Sequence, residues 1–310
     1  MLTATQKNTA QAILNIFETG DVLGDYGNVT VISGDTGHLT FGRSQTTLST
    51  GNLFNLINRY CVNVGARFGE KLKPWLRRLE AKDISLDKDM KLHNILRASA
   101  DDRVMRETQD TFFDEVYWLP AVRAAERFGL YTPLGTTLVY DGFIHGSWAL
   151  IRDRTTQHTG DIAVVGEHAW ISAYVPIRRN WLAKHKRSDL RGTVYRMDAF
   201  QRLIDQAVWG LELPLVVRGE EISQASLSGT PRGCYDGPPL GSRPLMLQAP
   251  LARGLDVRLL QLGLSDQGVE IKADGIFGQA SAKCIKQYQI AQGLPPTGVA
   301  DIKLIASIAT

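Results

Sequence analysis

Between Thr5 and Phe17 the apolar residues Ala10, Ile13, Leu14 and Phe17 recur at the i, i+3, i+4, i+7 spacing of one helix face, and Gly20 stands where the stripe stops. The spacing predicts an amphipathic helix with Glu18 in its last turn. The period then changes. Asn28-Val-Thr-Val-Ile32 and Leu39-Thr-Phe41 are rich in β-branched and aromatic residues and flank Ser33-Gly-Asp-Thr-Gly37. That predicts a β-hairpin around a glycine-bearing loop. Helical spacing returns with Leu53, Leu56, Ile57, Tyr60 and Val64, and continues through 101–128, 134–151, 167–183 and 197–209. Everything after the hairpin is expected to be helical, with no internal repeat.

The periodicity fails over 223–253, where Gly, Pro and Ser accumulate, most densely in Asp236-Gly-Pro-Pro-Leu-Gly-Ser-Arg-Pro244. This stretch reads as a flexible linker between a large domain, 1–222, and a small one, 254–310. In the small domain Leu255, Leu259, Leu260 and Leu262-Gly-Leu264 predict a short helix ending at Gly263 or soon after. Asp274-Gly-Ile-Phe-Gly-Gln279 is a tight turn opening a second helix, with Ala282, Ile285 and Tyr288 on its apolar face. Gly293-Leu-Pro-Pro-Thr-Gly-Val299 leads to a third. Three short helices bury little surface, which suits a binding module. The expected class is therefore α+β, mainly helical, with a small β-hairpin and a three-helix C-terminal domain.

Composition narrows the function. The 310 residues are 44% hydrophobic and 22% charged, with a net charge of +3. So small a charge does not point to nucleic acid, and Lys184-His-Lys-Arg187 reads as a solvated face. No run approaches eighteen apolar residues, so no membrane helix is expected. Cys61, Cys234 and Cys284 are odd in number and far apart, which argues for buried or idle thiols rather than a disulfide framework or a metal site.

The residues with chemistry to offer are carboxylates. Hydrolysis of a glycosidic bond needs an acid to protonate the leaving oxygen and a carboxylate to activate water or attack the anomeric carbon. Glu18 lies at the negative end of an apolar helix beside Phe17, a setting that favours the protonated form of a general acid. Asp35, in a wetter glycine-rich turn, suits the ionised base, and Thr40 on the following strand could hold the nucleophilic water. By the same reasoning Asp21 and Asp25 are rival bases.

Glu18 followed by Gly34-Asp-Thr-Gly-His-Leu-Thr-Phe-Gly42 resembles the catalytic helix and hairpin of glycoside hydrolase family 46 chitosanases, and the related hairpin of phage lysozymes. The resemblance continues through Asp102-Arg-Val, Phe113-Asp-Glu-Val-Tyr-Trp-Leu-Pro-Ala-Val122, Val139-Tyr-Asp-Gly-Phe-Ile-His-Gly146, Arg196-Met-Asp198 and Leu211-Glu-Leu-Pro-Leu-Val-Val-Arg218. It implies a two-lobed lysozyme-like fold and an inverting reaction, with Glu18 as acid, Asp35 as base and Thr40 as water holder. It also implies a supporting ion network of Asp141, Arg178 and Arg196, in which Arg179 could replace Arg178. His38 falls inside the catalytic turn, as a loop residue or a substrate contact, and His145 reads as a satisfied core histidine. One departure is informative. Where chitosanases carry an aspartate that grips the substrate ammonium, this chain has Asn52, and an amide supplies no charge. Residues 1–222 carry 27 basic against 26 acidic residues, a poor lure for polycationic chitosan.

Leu259-Leu-Gln-Leu-Gly-Leu264, Asp274-Gly-Ile-Phe-Gly278, Tyr288-Gln289 and Thr297-Gly-Val299 resemble the three-helix peptidoglycan-binding domain. Together the two resemblances imply a muramidase-type peptidoglycan hydrolase. The alternatives are a chitosanase cutting β-1,4-glucosamine polymers and a catalytically inactive wall-binding protein. No metal or organic cofactor is expected. The expected partner is peptidoglycan, with an immunity protein or a holin or secretion delivery system besides, and with neither nucleic acid nor membrane insertion. The chain is expected to be a monomer, made in the cytoplasm without a signal peptide and acting on the cell wall after phage lysis or secretion.

Overall fold

A computed structural model describes residues 2–43 and 45–309; Met1, Ser44 and Thr310 lie outside the described residues. The first apolar stripe forms the helix Ala4–Thr19. Thr3 caps its start, and Thr3 and Gln6 exchange side-chain to backbone hydrogen bonds in a capping box. Gly20 ends it in the left-handed conformation (φ 79°) and donates its N–H to the Ile16 carbonyl. Ala12 and Ile16 are buried along with Ala10, Ile13, Leu14 and Phe17, so the apolar face is wider than the stripe.

The described residues divide into two compact units. The first comprises residues 1–24 and 113–229. Its core helix, Pro133–Ile144, is buried along most of its length, from Leu134 to Gly142. Phe128, Trp148, Trp170 and Tyr174 form an aromatic cluster with ring centroids 4.8 to 6.2 Å apart. Gly142 permits a close approach there, since a Cβ would sit 3.0 Å from Trp148 Cβ. This unit also holds a small antiparallel pair, Leu215–Val217 with Glu220–Ile222.

The second unit comprises residues 25–112 and 230–310. The expected hairpin is present with shorter strands: Val29–Thr30 pairs antiparallel with Thr40–Phe41. A third strand, Thr46–Thr47, pairs on the other side of Thr40–Phe41. The expectation of a purely helical remainder is thus corrected at Thr46–Thr47 and again at residues 215–222. These strands are two or three residues long, too short to show an alternating pattern.

The C-terminal helices Leu255–Asp266, Gln279–Ala291 and Ile302–Ala309 enclose their own core of Val257, Leu260, Leu264, Phe277, Ile285, Ile305 and Ile308. They are not tethered by a free chain. Leu262 packs into the core formed by residues 39–112, and buried Asn94 reaches across from the helix Met90–Ser99. Asn94 Nδ2 donates to Ser265 Oγ (3.0 Å) and the Ile271 carbonyl (2.7 Å), and its Oδ1 accepts from Ala273 N–H (3.0 Å). Arg258 donates to the Arg97 carbonyl and pairs with buried Asp101 at 3.0 Å. The stretch expected as a flexible linker takes part. Gln224–Leu227 is a helical turn, Tyr235 N–H donates to Asp101, Cys234 is buried, and Leu245 bridges to Ala300. Its Gly/Pro-rich composition excludes long elements but not point contacts. Cys61, Cys234 and Cys284 are free and buried, and burial pushes the Cys61 thiol up to about 11 and that of Cys234 up to about 12.

Asn94→Ala removes the partner of three buried groups, each costing about 1–3 kcal/mol when left unpaired. We expect at least about 3 kcal/mol of lost stability in urea unfolding. A wild-type midpoint would mean that the C-terminal helices are not anchored through Asn94.

Candidate active site

The first unit presents Glu18. The helix end that carries it is held by aromatic packing: Phe17 meets Phe200 and Tyr195 edge-on, at 5.5 and 6.0 Å between centroids, and Tyr195 Oη donates to the Phe17 carbonyl (2.8 Å). Behind Glu18 lies a chain of charges. Asp141, on the buried helix, is fully buried and accepts from Arg178 Nη1 (2.6 Å) through one carboxylate oxygen and from Arg196 Nη1 (2.7 Å) through the other. Arg196 turns its other nitrogen, Nη2, to the Glu18 carboxylate and lies over the Phe17 ring, 5.2 Å from its centroid. Arg178 supplies the inner cation, while Arg179 is exposed and pairs with Asp198.

Burial alone would raise the Asp141 carboxyl. The Arg178 and Arg196 guanidinium charges overcome that and hold it below the usual carboxylate range. The surroundings of Glu18 differ from the apolar helix-end neighbourhood expected. Its side chain is 43% exposed and its nearest charged neighbour is a cation. Helix periodicity puts Phe17 next in sequence, but it cannot report an arginine arriving from residue 196. His145, one turn after Asp141, is partly buried and 3.4 Å from Arg178 Nη2. Burial, with the Arg196 charge adding to it, pushes its imidazole down to about 4.

The second unit presents Asp35, His38, Thr40 and Asn52. Asp35 is exposed at the tip of the hairpin loop, where its N–H donates to the Ile32 carbonyl (3.1 Å). Its carboxylate rests against Gly37, where a Cβ would lie 3.0 Å from Asp35 Oδ2. Thr40 is on the central strand, paired with Thr30 on one side and Thr47 on the other, and its hydroxyl donates to the His38 carbonyl (3.1 Å). His38 adopts a left-handed conformation (φ 57°), and its Nδ1 lies 2.8 Å from Asp87 Oδ2. The other Asp87 oxygen accepts from Leu39 N–H (2.8 Å). His38 thus fastens the loop, and Asp87, on the short helical turn Ile84–Lys88, is the fastener that sequence reasoning missed. No local pattern links residues 38 and 87.

A second clamp lies past the strand. Arg43 pairs with Asp110, Tyr26 Oη donates to Asp110 (2.6 Å), and Gln109 bridges Arg43 N–H and the Tyr26 carbonyl. Burial raises the Tyr26 hydroxyl well above its ordinary value, so it stays a donor. Asn52 opens the helix Asn52–Val62, partly buried, and its N–H donates to Thr50 Oγ1. The rival bases Asp21 and Asp25 both have interaction partners. Among the described residues no group of three or more His, Cys, Asp or Glu is placed to hold a metal ion.

Asp141→Asn leaves Arg178 and Arg196 without their buried counter-charge and is expected to cost about 3–5 kcal/mol in thermal or urea unfolding. The pH dependence has a defined sign. Asp141, depressed in the folded state, contributes stability above its ordinary value near ~3.9, which is lost as pH falls through the depressed one. His145 acts earlier. The unfolded chain takes up its proton below ~6.5, the folded one only near 4, so stability falls across that window. His145→Gln is expected to flatten the melting profile between those pH values; an unchanged slope would contradict this placement.

Residues 12–215 match the family described as Glycosyl hydrolase family 46, and residues 253–308 match a putative peptidoglycan binding domain. The chain is 29% identical over 235 residues to a chitosanase of Bacillus subtilis (strain 168), covering 71% of this chain and 84% of that one. A mutant chitosanase from Bacillus subtilis MY002, solved with 6 GlcN, resembles it at 26% identity and a TM-score of 0.58, over 70% of this chain and 96% of its own. A family 46 chitosanase of Gynuella sunshinyii, solved with chitotetraose, does so at 26% identity and a TM-score of 0.57, over 72% and 98%. The family 46 match spans more than half of the chain and contains Glu18, Asp35, Thr40, Asn52, Asp141, Arg178 and Arg196. The protein therefore belongs to glycosyl hydrolase family 46, with a peptidoglycan-binding type of domain at its C-terminal end.

Proposed function

We propose that this glycosidase hydrolyses β-1,4-linked glucosamine polymers by an inverting, single-displacement reaction. Glu18 is the general acid, Asp35 the general base, and Thr40 holds the attacking water. The observation that carries the reading is the Glu18 carboxylate held by Arg196, itself anchored on buried Asp141, in a chain whose family 46 relatives are chitosanases. The chemistry assigns each group a task. Glu18 gives its proton to the leaving glycosidic oxygen as the bond to the anomeric carbon breaks. Water attacks that carbon from the opposite face and loses its proton to Asp35. Arg196 then faces a carboxylate with a new negative charge, which a guanidinium hydrogen bond stabilises. Asp35 is exposed on the hairpin loop, where its carboxylate is open to water.

A second reading, peptidoglycan as the polymer cut, is favoured by one observation: residues 253–308 match a putative peptidoglycan binding domain. Asn52 bears on the choice, since an amide cannot pair with the ammonium of glucosamine as a carboxylate can. On the wall-directed reading the protein would reach its polymer by phage lysis or secretion.

Incubation with chitosan and, separately, with purified sacculi, followed by mass analysis of products, decides between the readings. Glucosamine oligomers support the first, muropeptides the second, and no soluble product from either overturns both. Glu18→Gln and Asp35→Asn are each expected to lower kcat by at least about 100-fold. Asn52→Asp is expected to raise kcat/KM on chitosan about fivefold, roughly one exposed ion pair.

A further inference from the structure

Within the basic run 184–187, read from sequence as a solvated face, Lys184, His185 and Lys186 line a surface cavity of about 520 Å³ in the first unit. One wall is the helix Glu167–Ala183, through Ile177, Asn180 and Trp181; the other is Arg154, on the helix Trp148–Thr159. Lys184, His185 and Lys186 close the rim. The lining contains no carboxylate. Among the described residues Arg154, Lys184 and Lys186 make no ion pair, and the acids nearest in sequence are already engaged, Asp153 by Arg152 and Asp189 by Arg187. Uncompensated positive charge therefore surrounds a partly buried indole.

The rim is built rather than loose. Arg191 Nη1 donates to both the His185 and Lys186 carbonyls (2.8 Å each), and Arg187 N–H donates to His185 Nδ1 (3.2 Å). Trp181 is fixed edge-on against the His185 ring, 4.8 Å between centroids. A half-buried indole offers its apolar face to the C–H face of a sugar ring, and the exposed cations around it suit carboxylates.

We propose that this cavity is a second carbohydrate-binding site, for a carboxylate-bearing glycan of the peptidoglycan type. The sugar ring lies on Trp181, and carboxylates of the adjoining peptide substituents, or of lactyl groups that carry no peptide, are met by Arg154, Lys184 and Lys186. A polycation such as chitosan is repelled here. The site is therefore selective in the direction opposite to a glucosamine-binding cleft, and it does not depend on which polymer Glu18 and Asp35 cut. A binding site apart from the catalytic residues keeps the enzyme on an insoluble polymer and raises the local concentration of bonds to cut.

The test is co-sedimentation with intact sacculi, with sacculi stripped of phosphodiester-linked polymers, and with chitosan. All proteins carry Glu18→Gln so that the polymers stay intact. Arg154→Gln/Lys184→Gln/Lys186→Gln changes only exposed residues. It is expected to weaken binding to stripped sacculi about tenfold at low salt, with the difference closing as salt rises, and to leave chitosan binding unchanged or stronger. Trp181→Ala is expected to weaken binding at every salt concentration. Binding of the charge variant to stripped sacculi within twofold of its parent, with the same salt dependence, would overturn the proposal. A loss confined to unstripped sacculi would overturn the carboxylate assignment and transfer the site to phosphate-bearing polymers.

Discussion

A carboxylate with no solvent exposure, Asp141, sits between two guanidinium groups, and the first unit is arranged around that fact. An isolated buried charge is intolerable, and a buried ion pair repays desolvation only when its hydrogen-bonding capacity is well met. Arg178 and Arg196 each satisfy one oxygen of Asp141. This ties the helices Pro133–Ile144, Glu167–Ala183 and Tyr195–Asp205 to a single point. The consequence for function lies in the remaining arm of Arg196. A side chain already fixed by Asp141 and by the Phe17 ring loses little further freedom in holding Glu18, whose carboxylate is otherwise a half-exposed group at the helix end.

The second unit fixes its carboxylate by other means. Asp35 stays wet, and order is imposed on the loop beneath it. Leu39 and Phe41 are buried on either side of Thr40, so the strand register cannot slip without exposing both. Asp87 then takes the two donors, His38 and Leu39 N–H, at the end of the loop. Three-residue spacing of buried, functional and buried positions is a compact way to aim a hydroxyl from a very small sheet. The C-terminal helices belong to this unit through Asn94 and Arg258, so the domain of peptidoglycan-binding type is part of the body that carries Asp35.

Much of this was legible from residue patterns, and the remainder was hidden for definable reasons. Helices with strong 3.6-residue periods, such as Ala4–Thr19 and Glu167–Ala183, read directly from spacing, and Gly20 marked a true C-cap. The hairpin was visible because β-branched runs flanked a glycine-rich loop. The strands Thr46–Thr47 and Leu215–Val217 were not, because two or three residues cannot display a period. The ion network came from family resemblance rather than from pattern, since nothing local joins residues 18, 141, 178 and 196. Asp87 and Gln109 escaped both routes, as each acts through a long-range contact with a loop. The composition of residues 223–253 spoke for irregular backbone but was silent on Tyr235 and Leu245, single anchors in an otherwise aperiodic segment.

The proposed division of labour, with Glu18 giving a proton and Asp35 taking one from water, has a stereochemical signature that no binding protein or covalent glycosidase shares. Proton NMR of the anomeric signals in the first minutes of hydrolysis of a β-1,4 glucosamine hexamer reads it directly. The account predicts that the α-anomer appears first and the β-anomer only as mutarotation proceeds. Initial release of the β-anomer would mean retention through a covalent intermediate, and would contradict the roles assigned to Asp35 and Thr40.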